Sequence, residues 1–372
     1  MDKNRAKLLF LLAAVSVLLT GCWDAKEIND LDLVTMVILN KQGENISFTI
    51  EVPSIMPVSS EGANSGSKNT YIEGSGADFP EARNNLDKKL QKPLYLGTTR
   101  TLVITDKAAE NDLAEYMFRL REDGTYRQKV TLVTTREEPA AFTDFTGETN
   151  SPGGFAIDDM LVELAQNGRT YSETSSNYVE DILSGRSFVV HCIDVVNRQH
   201  ALTGYSVIKN AKFIGFIPVE EARGLVFLLA YNPVFLYRVP FGSHFATVEV
   251  QGAGRKIKAG YKDGTIAFSV QMKYNAEVQY FSQVQLFPLD EQALEEISQN
   301  LERMLQEDVQ KTIAQSQTVF QCDYLQLCDA FRTAYPDPYD KISWTEEYPK
   351  AQINVTTQID ISISQKMDYE PH

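Results

Sequence analysis

Apolar and polar positions along the chain fall into blocks that switch between two periods. Leu33–Leu39 and Ile46–Val52 are short runs rich in β-branched residues, with Gly43 between them, and predict a pair of strands. Tyr71–Gly74 predicts a third strand, after a Ser/Gly-rich loop at Ser59–Lys68. From Asp78 the spacing lengthens to three and four. Phe79, Ala82, Leu86 and Leu90 share one helical face, and Asp78 is placed to cap it. Arg100–Thr105 predicts a strand, and Asp106 opens a helix carrying Leu113, Tyr116, Met117 and Leu120. Val130–Thr135 is again strand-like, and helical patterns follow at Phe155–Leu164 and Tyr178–Leu183. Strands alternating with helices predict a mixed α/β unit that ends near residue 185.

Beyond that point strands dominate. Ser187–Val196, Leu202–Ile208 and Lys212–Ile217 lead to a helix at Val219–Leu229. Phe245–Val250, Arg255–Ala259 and Thr265–Tyr274 follow, with Gly252/Gly254 and Asp263-Gly264 read as turns. Leu294, Ile297, Leu301, Leu305, Val309 and Ile313 then mark a long amphipathic helix over Leu289–Ile313. A Pro-punctuated loop at Tyr335–Pro338 precedes an alternating final strand, Ile353–Ile363. The fold class expected is α+β: three mixed α/β domains, each a central, mostly antiparallel sheet with surrounding helices, after a cleaved signal peptide. The boundaries expected are a signal peptide at 1–21, an N-terminal α/β domain at 22–185, a small middle domain at 186–250 and a C-terminal α/β domain with the long helix at 251–372.

The signal peptide rests on the first 22 residues. Lys3, Arg5 and Lys7 form a positive region, followed by a largely apolar run from Leu8 to Leu19. Spanning a bilayer takes about 20 apolar residues, so this run is too short for a membrane helix and matches the apolar core of an export signal. It ends Leu19-Thr20-Gly21-Cys22, which resembles the bacterial lipobox. The small residues admit a peptidase, and the Cys22 thiol takes a diacylglyceryl group. One acyl chain holds a protein to a bilayer only marginally, whereas two anchor it stably. Asp24 and Glu27 then stand at capping-box spacing ahead of Ile28 and Leu31, so structure is expected to begin close behind the anchor and to keep the first domain near the membrane.

Composition narrows the function. Of 372 residues 43% are hydrophobic, enough for several packed cores, and the net charge is −15. Such an acidic chain is a poor partner for nucleic acid, whose binding is mostly phosphate neutralisation. The sequence contains no Gly-x-Ser-x-Gly elbow, Walker loop, His-Glu-x-x-His or Cys-x-x-Cys. No catalytic, cofactor-binding or metal-binding residues are assigned, and no enzyme activity is expected. His191, Cys192 and His200 lie close in sequence, but adjacent strand residues face opposite ways, so structural roles are expected. Asp158-Asp159 reads as a solvated helix start, and Arg255, Lys256, Lys258 and Lys262 as a solvated hairpin. Cys192, Cys322 and Cys328 are expected to include at least one buried free thiol and no disulfide.

The stretch Gly21-Cys22-Trp23-Asp24-x-x-Glu27-Ile28 resembles the start of the spore germinant receptor C-subunit lipoproteins, the Ger(x)C family. The likeness continues through Arg121-Glu122-Asp123 and Arg127, through Gly204-Tyr205-Ser206-Val207-Ile208-Lys209-Asn210-Ala211-Lys212-Phe213-Ile214-Gly215 with Glu221, and through Gln317, Cys322-Asp323, Pro336 and Trp344. The resemblance implies a non-enzymatic accessory subunit of a nutrient germinant receptor, acting in germination with two integral membrane subunits of A and B type. It implies a lipid-anchored (palmitate-bearing) protein at the outer face of the spore inner membrane, with Cys22 as the lipidation site. The contrasting reading from the residues is a ligand-binding lipoprotein of the solute-binding type.

Overall fold

The computed structural model describes residues 27–53, 69–122, 126–127, 129–143, 151–282 and 291–363. The signal peptide, the lipobox with Cys22, the loop Ser59–Lys68 and the tail from Ser364 lie outside the described residues. The structure is mixed α/β, as the pattern predicts, and most of its strands lie in two sheets.

The N-terminal half supplies β1 (Asp32–Leu33), β2 (Met36–Gln42), β3 (Asn45–Pro53), β4 (Asn69–Gly76), α1 (Phe79–Asp87), β5 (Leu94–Tyr95), β6 (Thr101–Thr105), α2 (Asp106–Glu122), β7 (Thr131–Thr135), α3 (Pro139–Thr143), α4 (Gly153–Gln166) and α5 (Ser175–Leu183). Then come β8 (Phe188–Val196), β9 (Gln199–Lys209), β10 (Lys212–Pro218) and α6 (Arg223–Leu229). One sheet of eight strands runs β10-β9-β8-β7-β6-β2-β3-β4. Its centre is parallel, β2 with β6, β6 with β7 and β7 with β8, and its two flanks are antiparallel hairpins.

Helices on both faces explain why β2 is apolar at four successive positions. Val37 and Leu39 join one core cluster with Phe79 of α1, Leu113 and Met117 of α2 and Tyr178 of α5. Met36 and Ile38 join another with Phe142 of α3 and Ile157 and Leu161 of α4. Alpha1 starts as expected: Asp78 Oδ1 accepts from Glu81 N at 2.8 Å, and Glu81 Oε2 accepts from Ala77 N at 2.8 Å.

The second sheet, β11-β12-β13-β14, is built from β11 (Val234–Phe241), β12 (His244–Lys262), β13 (Thr265–Phe281) and β14 (Gln352–Ile363). Between β13 and β14 lie α7 (Glu291–Ala314), α8 (Leu327–Ala334), α9 (Pro336–Tyr339) and α10 (Trp344–Glu347). The long helix predicted from its apolar stripe is α7, 24 residues, which buries Ile297, Leu301, Leu305 and Val309 in the core with this sheet. The connection through the helices brings β14 back parallel to β13.

Three details depart from the expectation. Strand pairing runs across residues 185 and 250: β8 pairs with β7 through Cys192 and Thr134, so β8–β10 extend the first sheet, and β12 continues unbroken from His244 to Lys262. Sequence pattern marks strands but not their partners. Gly252 and Gly254 form a bulge rather than a turn, because the register slips there and a Cβ on Gly252 would lie 2.7 Å from the Pro233 ring. Finally, Pro336–Tyr339 is one helical turn, with Pro at a position whose N–H is unneeded.

Candidate functional site

An apolar opening lies over the first sheet, between α1 and α2. Alpha1 rests on β3 and β4 while α2 rests on β2, β6 and β10, so a gap remains between the two helices above the buried side chains of Val37, Leu39 and Ile50 and the partly buried Phe48. The cavity measures about 420 Å³. That is the size of a small-molecule site lined mainly by hydrocarbon. Its charged residues are Arg83, Arg119 and Glu122. Arg119 lies over the Phe79 ring at 4.5 Å and pairs with Glu115, while Arg83 pairs with Asp87 at 2.9 Å.

On the opposite face a buried carboxylate replaces a missing helix cap. The first residues of α4 follow Pro152, which offers no side-chain acceptor. Glu51, 1% exposed, supplies both oxygens instead: Gly153 N and Gly154 N donate to it at 2.8 and 3.0 Å. Thr35 Oγ1, Asn69 Nδ2 and Tyr71 OH donate to the same group. Burial first, and then the Glu51 charge, push the Tyr71 hydroxyl pKa well up. The position needs glycine, since a Cβ on Gly154 would lie 2.2 Å from the Thr35 carbonyl oxygen. No pattern in the strand containing Glu51 announces this role; the pair Gly153-Gly154 after a proline was the available signal.

Asp158 is corrected from solvated to structural. It lies inside α4, accepts from Arg100 Nη1 at 2.7 Å and from Thr131 Oγ1, and is largely buried, whereas Asp159 is exposed. Arg255 is exposed on the hairpin as expected, and its guanidinium also donates to the Leu228 and Ala230 carbonyls, with partial burial of that group lowering its pKa. Lys256, Lys258 and Lys262 are exposed on the hairpin. At the carboxyl ends of the parallel strands, Asp194 accepts from Thr135 Oγ1, Arg136 N, Arg136 Nη2 and Thr203 Oγ1. Burial works to raise its pKa, but these donors outweigh that and hold it below the usual carboxylate range.

His191, Cys192 and His200 have separate surroundings. His191 Nε2 lies 2.8 Å from Thr170 Oγ1, the ring stacks on Tyr171 at 4.4 Å, and burial lowers its pKa to about 4. His200 stacks on Phe142 at 5.6 Å. Cys192, Cys322 and Cys328 are all buried and free, and burial pushes Cys192 up to about 12 and Cys322 to about 11. Among the described residues no cluster of three or more His, Cys, Asp or Glu is placed to hold a metal ion.

The two sheets meet at a polar joint. Arg186 of the first body pairs with Asp181 at 3.2 Å and reaches Asp329 of α8 at 3.7 Å, and Gln326 Nε2 donates to Asp181 at 3.3 Å. A cavity of about 250 Å³ lies beside it, lined in part by Tyr171, Glu173, Asp181, Arg255 and Asp329.

Residues 24–195 match the model of the spore germination protein N-terminal domain, and residues 203–364 match the spore germination B3/GerAC-like C-terminal domain. The chain is a member of the Ger(x)C family of spore germination proteins. Among its relatives is spore germination protein A3 of Bacillus subtilis (strain 168), 25% identical over 264 residues, which cover 68% of this chain and 69% of that one. Spore germination protein B3 of the same organism is 19% identical over 340 residues, covering 88% and 90%. The crystal structure of the GerBC protein has the same fold, with a TM-score of 0.57 at 15% identity, over 87% of this chain and 96% of that one. In this Ger(x)C member Cys322 and Asp323 are buried, and Asp323 accepts from Leu327 N, Cys328 N and Trp344 Nε1.

Proposed function

We propose that this chain is the lipid-anchored, non-enzymatic C-type subunit of a nutrient germinant receptor. Cys22 holds it at the outer face of the spore inner membrane, where it works with two integral membrane subunits of A and B type. The observation that carries this reading is a lipobox immediately followed by two spore germination domains that together span most of the chain. A contact role is supported by the absence of catalytic motifs from the sequence and by thiols whose high pKa values keep them protonated and inert. The acidic body is repelled by anionic headgroups, so the lipid rather than the protein surface supplies membrane attachment.

Replacing Cys22 by Ala should move the protein from the membrane fraction to the soluble fraction and weaken nutrient-triggered germination. Deletion of the gene, scored nutrient by nutrient, should abolish the response to a subset of germinants. Normal germination of the deletion strain with every nutrient would remove the reading. A solute-binding lipoprotein is supported by the apolar cavity over the first sheet. Against it, the second sheet lacks the doubly wound layout of such lobes, having antiparallel neighbours except at β13 and β14.

A further inference from the structure

The cavity between α1 and α2 is apolar where it is deep, and its polar end leads toward the start of the chain. Val37, Leu39, Ile50 and Leu102 form its sheet side, and Leu86 and Leu120 belong to its helical walls. An occupant of that depth must be hydrocarbon, since a polar group there would lose its water without gaining a partner. A second groove, of about 400 Å³, shares Arg83 and Leu94 with the first and continues along Leu90, Gln91, Lys92 and Pro93. Residues 92–95 hold the N-terminal segment directly. Lys92 Nζ donates to the Asn29 carbonyl at 2.6 Å, Asp32 N donates to the Pro93 carbonyl at 3.0 Å, and β1 pairs with β5. The described chain begins at Glu27, five residues after Cys22, a reach of at most about 18 Å.

The geometry points to one fatty-acyl chain of the Cys22 lipid as the occupant of this cavity, entering along the Arg83–Lys92 groove. The inference rests on Cys22 being lipidated, as proposed above. A saturated chain is flexible, needs no hydrogen bond, and gains about 0.8 kcal/mol for each buried CH₂ wherever it is buried, in protein or in bilayer. Arg83 and Lys92 stand along the shallower groove, where the glycerol ester oxygens of the same lipid would pass and accept hydrogen bonds. An acyl chain seated in the protein is withdrawn from the membrane. The remaining chain or chains then hold the body less firmly, and the seat keeps the first sheet close to its anchor.

The test uses the full-length protein in its own membranes. Cells are fed a diazirine-bearing palmitate, membranes are irradiated, and photoproducts of the protein are sequenced by mass spectrometry. The expected result is an intramolecular crosslink from the Cys22 lipid to peptides containing Phe79–Leu86 or Tyr116–Leu120. In the Leu120→Trp variant, which narrows the cavity, this crosslink is lost while the photo-lipid on Cys22 is retained. A lipidated Cys22 whose only crosslinks are to bilayer lipid or to other proteins would overturn the inference and leave the anchor intact. Pocket peptides crosslinked to free phospholipid, and equally so in Cys22→Ala, would assign the cavity to a membrane lipid and overturn it too. An unmodified Cys22 would defeat both the inference and the anchoring on which it rests.

Discussion

At the scale of single residues, the first body depends on a few polar groups that burial makes costly to disturb. Glu51 satisfies two orphan N–H groups of α4 as well as Thr35, Asn69 and Tyr71. Glu51→Ala leaves all five donors without their acceptor, and should destabilise the protein by about 3–5 kcal/mol, read as a fall in the urea midpoint. His191 gives a pH signature. Its folded pKa, about 4, lies below its ordinary 6.5, so between these values the unfolded chain binds a proton that the folded chain refuses. The stability it contributes is present above pH 6.5 and is lost as the pH falls toward 4. Asp181 and Asp323, pushed up to about 6 by burial, act in the opposite sense, their contribution being lost as pH rises through about 6. The difference in unfolding free energy between wild type and His191→Gln, followed from pH 7 to pH 4, isolates the histidine. A difference that does not change with pH would show that His191 titrates normally in the fold. The apolar run around His191 marks it as a structural position, but nothing in the sequence around Glu51 announces the helix it caps, because its partners lie far along the chain.

At the scale of elements, periodicity located helices and strands well but was blind to how closely they approach. The stripe from Ile297 to Ile313 gave α7 to within a few residues, and the alternation at Ile353–Ile363 gave β14. The contact of α6 with α7 turns on Gly224, where a Cβ would lie 2.2 Å from the Asp308 carbonyl oxygen. Gly224→Ala should therefore cost about 2–3 kcal/mol by forcing the helices apart. Gly254, beside the β12 bulge, has no atom within 4 Å of its would-be Cβ, and Gly254→Ala should change stability by no more than about 0.5 kcal/mol. Thermal unfolding of the two variants side by side checks the contrast; equal losses would mean that both helices shift to make room. Neither glycine has a positive φ, so only the neighbouring element, which the sequence does not show, tells them apart.

At the scale of the whole molecule, one of the core clusters joins the two sheets. Tyr171, Val189, Tyr205, Val207 and Ile217 of the first body cluster with Leu225, Tyr237, Leu301 and Val355 around the second. The Asp181–Arg186–Asp329 ion pairs close the same junction. Unfolding should therefore be a single transition, although the chain is long enough for domains to melt separately. In a Trp23→Phe background, Trp344 fluorescence reports the second body and far-UV circular dichroism reports both; coincident urea curves are expected, and two separated midpoints would refute the shared core. The amino-acid sequence by itself determined the order and type of most elements, though not β11 or the short helices α3 and α8–α10, together with the acidic net charge, the lack of catalytic motifs and the family, because periodicity and short motifs are local properties. Only the tertiary structure decided that β8–β10 complete the first sheet, that Glu51 caps a helix about a hundred residues away, and that α1 and α2 leave an apolar cavity leading toward the N-terminus. Those outcomes depend on which distant surfaces meet, and no run of neighbouring residues records that choice.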